Sequence, residues 1–203
     1  MIAGYLVRHW AEGEQVFDTP TGIAKFALIS LAATLVSATI GVSSLAVAGY
    51  AEVSSFISVW LTWWLGDLAG ALIVTPVVVL WAKSELASLT PPQITGTGLT
   101  YFATVAVGAI AFSPLLQQTP LHDALIFLVI LPLLWASLRQ GPRDTATVAL
   151  IISAFAVGCT LLGCGPFAKP NLNDSFILLL AFTISTSVLS LAFERRCNCD
   201  EPY

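Results

Sequence analysis

Long apolar runs, broken by isolated clusters of charge, dominate the chain. No Asp, Glu, Lys or Arg occurs from Phe26 to Ala51, from Leu86 to Leu121, from Ala124 to Leu138, from Thr145 to Ala168 or from Ser175 to Phe193. A hydrocarbon core of about 30 Å takes about 20 helical residues per crossing, so runs of this length predict transmembrane helices rather than a soluble core. Bounded by charge, Pro or Gly, they define six spans: Phe26–Ala48, Val53–Ala82, Gly98–Leu116, Ala124–Leu138, Thr145–Gly163 and Ser175–Phe193. The fourth is short, and extends back to Leu121 if His122 and Asp123 sit at the interface. The second is too long for one upright crossing, so Val53 to Ser58 is read as an interfacial entry segment. The fold class is therefore all-α, a polytopic integral membrane helical bundle of about six transmembrane helices.

Charge then orients the bundle. Cytoplasmic loops carry an excess of Lys and Arg, whereas acidic residues matter little. With both termini cytoplasmic, the inner segments hold Arg8, Lys25, Lys83, Arg139, Arg143, Arg195 and Arg196, and the outer loops hold only Lys169. Such a bias arises only from an even number of spans. The tryptophans agree: Trp60, Trp63 and Trp64 fall near the outer end of the second span and Trp81 near its inner end. The distance from Trp64 to Trp81 is about 26 Å of helix, close to that between two interfacial belts.

Composition supports the membrane class and narrows the chemistry. The 203 residues are 57% hydrophobic and 10% charged, outside the range of ordinary globular chains. The net charge of −4, with no basic stripe, excludes an electrostatic nucleic-acid binder. The two histidines, His9 and His122, make no metal cluster, and no phosphate-binding glycine loop or nucleophile elbow occurs. Cys159, Cys164, Cys197 and Cys199 form no disulfide framework and read as ordinary free thiols. No catalytic residue, cofactor or metal is expected, and the chain is not read as an enzyme.

Asp67 is the carboxylate that lies well inside a predicted crossing. Such a residue costs about 2.5–3.5 kcal/mol on insertion scales and is a functional-site candidate by default. Trp60, Trp63 and Trp64 recur at helical spacing above it, and Gly66 and Gly70, four apart, predict close approach of another helix inside the bundle. Ser37 and Gly41 predict packing in the first span, and Pro76 a kink in the second. Asp67 has a plainer reading beside the functional one: a packing residue hydrogen-bonded to a neighbouring helix.

The residues "WLTWWLGDLAGALIVTPVVVLW" resemble the signature helix of the bacterial membrane-associated sensor domain of the first MASE type, with its W-x-x-W-W-x-G-D-x-x-G core followed by an apolar stretch with Pro. Trp60, Trp63, Trp64, Gly66, Asp67, Gly70 and Pro76 match that pattern. "LPLLWASLRQGPRDTATVAL" is similar to a second junction of the family, at Pro132, Trp135, Ala136, Arg139, Gly141, Pro142 and Arg143, and "GCGPFA" and the closing "FERR" also fit. The resemblance covers residues 1–196, the expected sensor domain, and leaves 197–203 as a short polar tail. It also suggests that the opening "AGYLVRHW" is the end of a helix whose upstream partners are missing, and that no output domain follows.

The resemblance implies an integral membrane sensory module of a bacterial signal-transduction protein, coupling a stimulus to a cytoplasmic effector or output domain. In the family these are histidine kinases of two-component systems and diguanylate cyclases of cyclic di-GMP signalling. Trp60, Trp63, Trp64 and Asp67 would line the sensing site. Arg139, Gly141, Pro142, Arg143, Arg195 and Arg196 would form the cytoplasmic junction. The expected partners are the lipid bilayer of the bacterial inner membrane and the effector, with pairing of two copies left open and no nucleic acid. The alternative is a small transporter or channel using Asp67 as an ion or proton site. Ser37, Thr104, Ser153 and Thr183 then supply the polar groups of the other spans, which offer no second ionisable residue at membrane depth.

Overall fold

The computed structural model describes residues 4, 7, 9, 16–17, 19–50, 53–84, 91–113, 126–163, 167–168, 170–171 and 174–185. They form six helices: α1 (Pro20–Val47), α2 (Phe56–Lys83), α3 (Pro91–Ala111), α4 (Ile130–Arg139), α5 (Pro142–Leu161) and α6 (Asp174–Ser185). Three of these, over Thr21–Val47, Phe56–Lys83 and Pro142–Leu161, are long and apolar enough to cross a membrane, and Thr95–Ala111, Phe127–Arg139 and Asp174–Ser185 form shorter apolar helical stretches.

Local signals set the ends. The Thr19 hydroxyl accepts from the Gly22 amide at 3.1 Å and Pro20 occupies the first turn, where no backbone donor is needed. After α1, Gly49 takes φ +79°; its amide donates to Ala46 and that of Tyr50 to Leu45. These two bonds satisfy carbonyls that the helix end would otherwise orphan. A 3₁₀ turn, Val53–Ser55, leads into α2. The expected entry segment is thus shorter than Val53 to Ser58: the helix starts at Phe56 and runs unbroken for 28 residues through the buried Pro76. At about 42 Å it exceeds the hydrocarbon thickness, a mismatch that tilt absorbs.

Other boundaries differ from expectation: α1 begins at Pro20 rather than Phe26, and α4 begins at Ile130, after a 3₁₀ turn over Ile126–Val129, rather than at Ala124. Helix α3 begins at Pro91 rather than Gly98 and is already helical through Gly96 and Gly98. Helix α5 begins at Pro142 rather than Thr145, so Arg143 and Asp144 belong to its first turn. In both cases Pro can occupy the opening turn of a helix, and hydropathy alone places the boundary too late.

Side-chain contacts define the packing order. Trp60 reaches Thr39 and Trp64 reaches Leu31, so α1 and α2 are antiparallel. Trp81 reaches Thr147, so α2 and α5 are antiparallel as well. Tyr101 meets Asp144 and Phe112 meets Cys159, so α3 and α5 run parallel. Gln140, just after α4, bonds Gly96 near the start of α3. Every described Lys or Arg therefore falls at one end of the bundle: Lys25 early in α1, Lys83 and Arg139 at the last residues of α2 and α4, and Arg143 at the start of α5. By the excess of cations on the cytoplasmic side, this end is the one expected inside, hereafter the inner end.

Helix α5 is central. One apolar cluster joins Phe26 and Ile29 of α1, Leu68, Leu72 and Leu80 of α2 and Ala146 of α5. A second joins Ala111 and Phe112, Leu133 and Ala136 of α4, Val148, Ile152 and Ala156 of α5 and Leu179 of α6. Ala149, Ser153 and Ala156 are buried on α5, and small residues of this kind let neighbouring backbones approach. Large apolar side chains remain exposed on the outer faces, among them Leu28, Ile40, Val78, Phe102 and Leu131, as a lipid-facing surface requires. Several hydroxyls are satisfied within their own helices: Thr34, Thr104 and Thr160 donate to the carbonyls of Ser30, Thr100 and Ala156 at 2.7–2.8 Å.

Candidate functional site

Two polar features lie at opposite ends of α2. The outer one is built on its first three turns. Trp60 and Trp64, four residues apart, stack with ring centroids 5.4 Å apart. Their indole N–H groups donate across to α1, Trp60 to the Thr39 hydroxyl at 3.0 Å and Trp64 to the Leu31 carbonyl at 3.4 Å. Trp63 lies over Gly41: a Cβ built there would sit 3.2 Å from the indole. The tryptophans thus serve as more than belt anchors, since they clamp α1 to α2. Ser37, one turn before Gly41, is exposed.

Asp67 follows one turn below, half-buried, and forms no hydrogen bond or ion pair with any described residue. Its position on the helix is the informative point. The buried residues of α2 are Leu68, Ala69, Leu72, Ile73, Pro76 and Leu80. Trp63, Gly70, Val74, Val78 and Trp81 are exposed. At 3.6 residues per turn Asp67 falls in the middle of this exposed stripe, about half a turn from the buried one. The carboxylate therefore faces outward from the bundle of described residues.

This corrects the expectation for Gly66 and Gly70. Neither has any atom within 4 Å of where a Cβ would stand, and Gly70 is exposed. No described helix rests on them; the close approaches are at Gly41 against Trp63 and at Gly108 of α3, where a Cβ would come 2.8 Å from the Phe155 ring. A glycine pair four apart predicts a close approach only if a neighbour happens to lie on that face. Pro76 lies on the opposite, buried face, fully enclosed.

The inner feature surrounds Asp144, the third residue of α5, which is 5% exposed. Tyr101 of α3 donates to its Oδ1 at 2.7 Å and Thr97 to its Oδ2 at 3.3 Å. Arg143 adds its Nε and a terminal nitrogen, each at 3.0 Å from Oδ1. The Arg143 guanidinium also lies over the Trp81 ring, 5.0 Å from its centroid, while the Trp81 N–H donates to Thr147 at 2.9 Å. A carboxylate in the first turn is further favoured by the positive helix end. Beside it, Gln140 donates to the Gly96 carbonyl at 2.9 Å and to the Thr100 hydroxyl.

Of the junction residues expected from sequence, Arg139, Gly141, Pro142 and Arg143 gather here. Arg139 is exposed and sits over Trp135, 5.4 Å from its ring. Gly141 takes φ +100° in the tight turn from α4 to α5, a conformation other residues rarely adopt. Arg195 and Arg196 lie outside the described residues. Sequence reasoning missed Asp144, Tyr101, Thr97 and Gln140. The available signal was Asp144 two positions after a helix-starting Pro, which hydropathy counted as one more loop charge.

Among the described residues no group of three or more His, Cys, Asp or Glu is placed to hold a metal ion. The arrangement offers an outward carboxylate beneath an aromatic clamp, and one helix connecting both to a buried charged cluster at the inner end. In comparison with known proteins, a family model described as MASE1 matches residues 1–198. A search of curated proteins and of solved structures found no match.

Proposed function

The chain belongs to the MASE1 family, a multi-pass, non-catalytic membrane sensory domain of signalling proteins, and we propose that it reads its stimulus at Trp60, Trp63, Trp64 and Asp67 and transmits it along α2. The observation that carries this reading is the Asp67 carboxylate, unpaired among the described residues, in the middle of the outward stripe of α2. An ionisable group at membrane depth ordinarily faces the interior or a water-filled cavity and pairs there. One that does neither is poised for a partner from outside the bundle.

Helix α2 joins the two features. Its outer half is clamped to α1 by the tryptophans, and its inner end meets α5 through Trp81. A shift or rotation of α2 at Asp67 would carry Trp81 with it and disturb the Arg143–Asp144 pair. A stimulus acts this way only by favouring one helix arrangement over another, so its binding must differ between them. The output would pass from the inner end to a kinase or diguanylate cyclase effector at the cytoplasmic face of a bacterial inner membrane.

The test is to join a cyclase or kinase effector after Arg196 and measure its output for the wild-type sequence and for Asp67→Asn and Trp64→Leu. Altered basal or stimulated output supports the reading. Unchanged output in both variants reduces the aromatic and carboxylate residues to packing. Solute or proton flux through proteoliposomes that depends on Asp67 would instead favour transport.

A further inference from the structure

The surroundings of Asp67 select the chemistry of what binds there. Its side chain leans toward the helix N-terminus, as all helical Cα–Cβ bonds do, and so toward the turn carrying Trp63 and Trp64. Trp63 is 40% exposed. On one flank stand the stacked Trp60 and Trp64; on the other, Gly66 and Gly70 leave open space with no atom within 4 Å of a Cβ position. The missing side chains at Gly66 and Gly70 leave an open edge on the outward side of α2, a surface notch rather than an enclosed cavity, beside Asp67 and the exposed Trp63.

A carboxylate in this position needs a positive partner, and no described cation pairs with it. Lys83, on the same helix, lies 16 residues and about 24 Å further on, Arg139 and Arg143 stand at the end of α4 and the start of α5, and Lys25 on α1 forms no ion pair with Asp67. A second copy docking with its two-fold axis at this turn would bring Asp67 against Asp67, placing like charges together. The electron-rich faces of tryptophan favour a cation, above all a weakly hydrated organic one.

We propose that the notch formed by Trp63, Trp64, Gly66, Asp67 and Gly70 binds a hydrophobic organic cation, an amine or quaternary onium amphiphile, entering from the outer half of the membrane. The inference rests on the reading of Asp67 and the tryptophans as the sensing site, and it names the class of ligand. The charge of the cation neutralises Asp67, and its apolar groups cover the exposed Trp63 and the glycine edge. Anions and neutral molecules of the same shape are rejected because they leave the carboxylate unpaired.

The test uses two ions of matched shape and opposite charge, tetraphenylphosphonium and tetraphenylborate, with the whole chain in nanodiscs of zwitterionic lipid. Equilibrium dialysis against empty nanodiscs removes simple partitioning. Saturable binding of the phosphonium is expected for the wild type and for Asp67→Glu, weakened about tenfold or more in Asp67→Asn, with no saturable uptake of the borate. Folding of each variant is checked by chromatographic behaviour and melting. Equal phosphonium binding by wild type and Asp67→Asn, equal saturable binding of both ions, or no saturable binding by the wild type would each overturn the proposal. If the ions fail while Asp67→Asn still alters effector output, the cation is wrong and the sensing site stands; if output is also unchanged, both readings fall.

Discussion

The hydroxyl of Tyr101 on α3 donates a 2.7 Å hydrogen bond to the buried carboxylate of Asp144 on α5, and this contact joins two parallel helices at the inner end of the bundle. The same oxygen receives the Arg143 guanidinium, which in turn covers Trp81 of α2. Three helices are tied through one carboxylate. Removing the carboxylate must therefore do more damage than removing any one of its donors.

Tyr101→Phe is expected to lose about 1.5–3 kcal/mol, the worth of a hydrogen bond to a charged acceptor. Asp144→Ala leaves Arg143 without its counter-ion at a largely buried site and is expected to cost about 3–5 kcal/mol. Thermal melting of the detergent-solubilised chain measures both. Equal losses from the two substitutions would remove Asp144 from its place as the hub.

Glycines separate packed faces from open ones. Gly108→Ala drives a methyl to 2.8 Å from the Phe155 ring, an overpacking expected to cost about 1–3 kcal/mol less whatever the helix gains from losing a glycine. Gly66→Ala and Gly70→Ala meet nothing and are expected to be neutral or to gain up to about 1 kcal/mol. Melting points in the same detergent decide the matter, and marked destabilisation at Gly70 would mean that a helix does rest there.

The aromatic clamp is open to a double-mutant cycle. Trp60→Phe and Thr39→Val each break the 3.0 Å bond between α1 and α2. Their coupling is expected to be about 0.6 kcal/mol and no more than about 1.7 kcal/mol, the range of interhelical hydrogen bonds in membranes. Strictly additive losses would mean that the bond contributes nothing beyond packing.

Orientation follows from the gathered cations. In a background with the four native cysteines replaced, Ser84→Cys at the inner end of α2 is expected to react with a membrane-impermeant thiol reagent only after the cells are opened. Gly49→Cys, in the turn between α1 and α2, is expected to react in intact spheroplasts. The reverse pattern would invert the topology derived from Lys25, Lys83, Arg139 and Arg143.

Much of this was legible in the chain. Charge-free runs about as long as a bilayer is thick announce membrane helices because lipid admits few unpaired charges, and among the described residues three helices are long and apolar enough to cross, with three shorter apolar ones beside them. Distribution of the basic residues predicted that Lys83, Arg139 and Arg143 share one end, and the antiparallel packing puts them there. The spacing of Trp60, Trp63, Trp64 and Asp67 placed the tryptophans in successive turns of one helix with the carboxylate one turn beyond, and the helix Phe56–Lys83 carries them so.

Residue order sets the solvent, the elements and the residues worth attention; which way they face is settled by packing. In water an apolar stripe tells the core side of a helix from the exposed side. In a bilayer both sides are apolar, since lipid tails are as hydrophobic as leucine, so α2 carries Val74 and Val78 outward as readily as Leu68 and Leu72 inward. For that reason Gly66 and Gly70 could be mistaken for an internal contact and Asp67 for an inward group. Asp144, counted as a loop charge, became the buried centre of the inner cluster because Pro142 starts α5 early and Tyr101, from a helix distant in sequence, arrives to bond it.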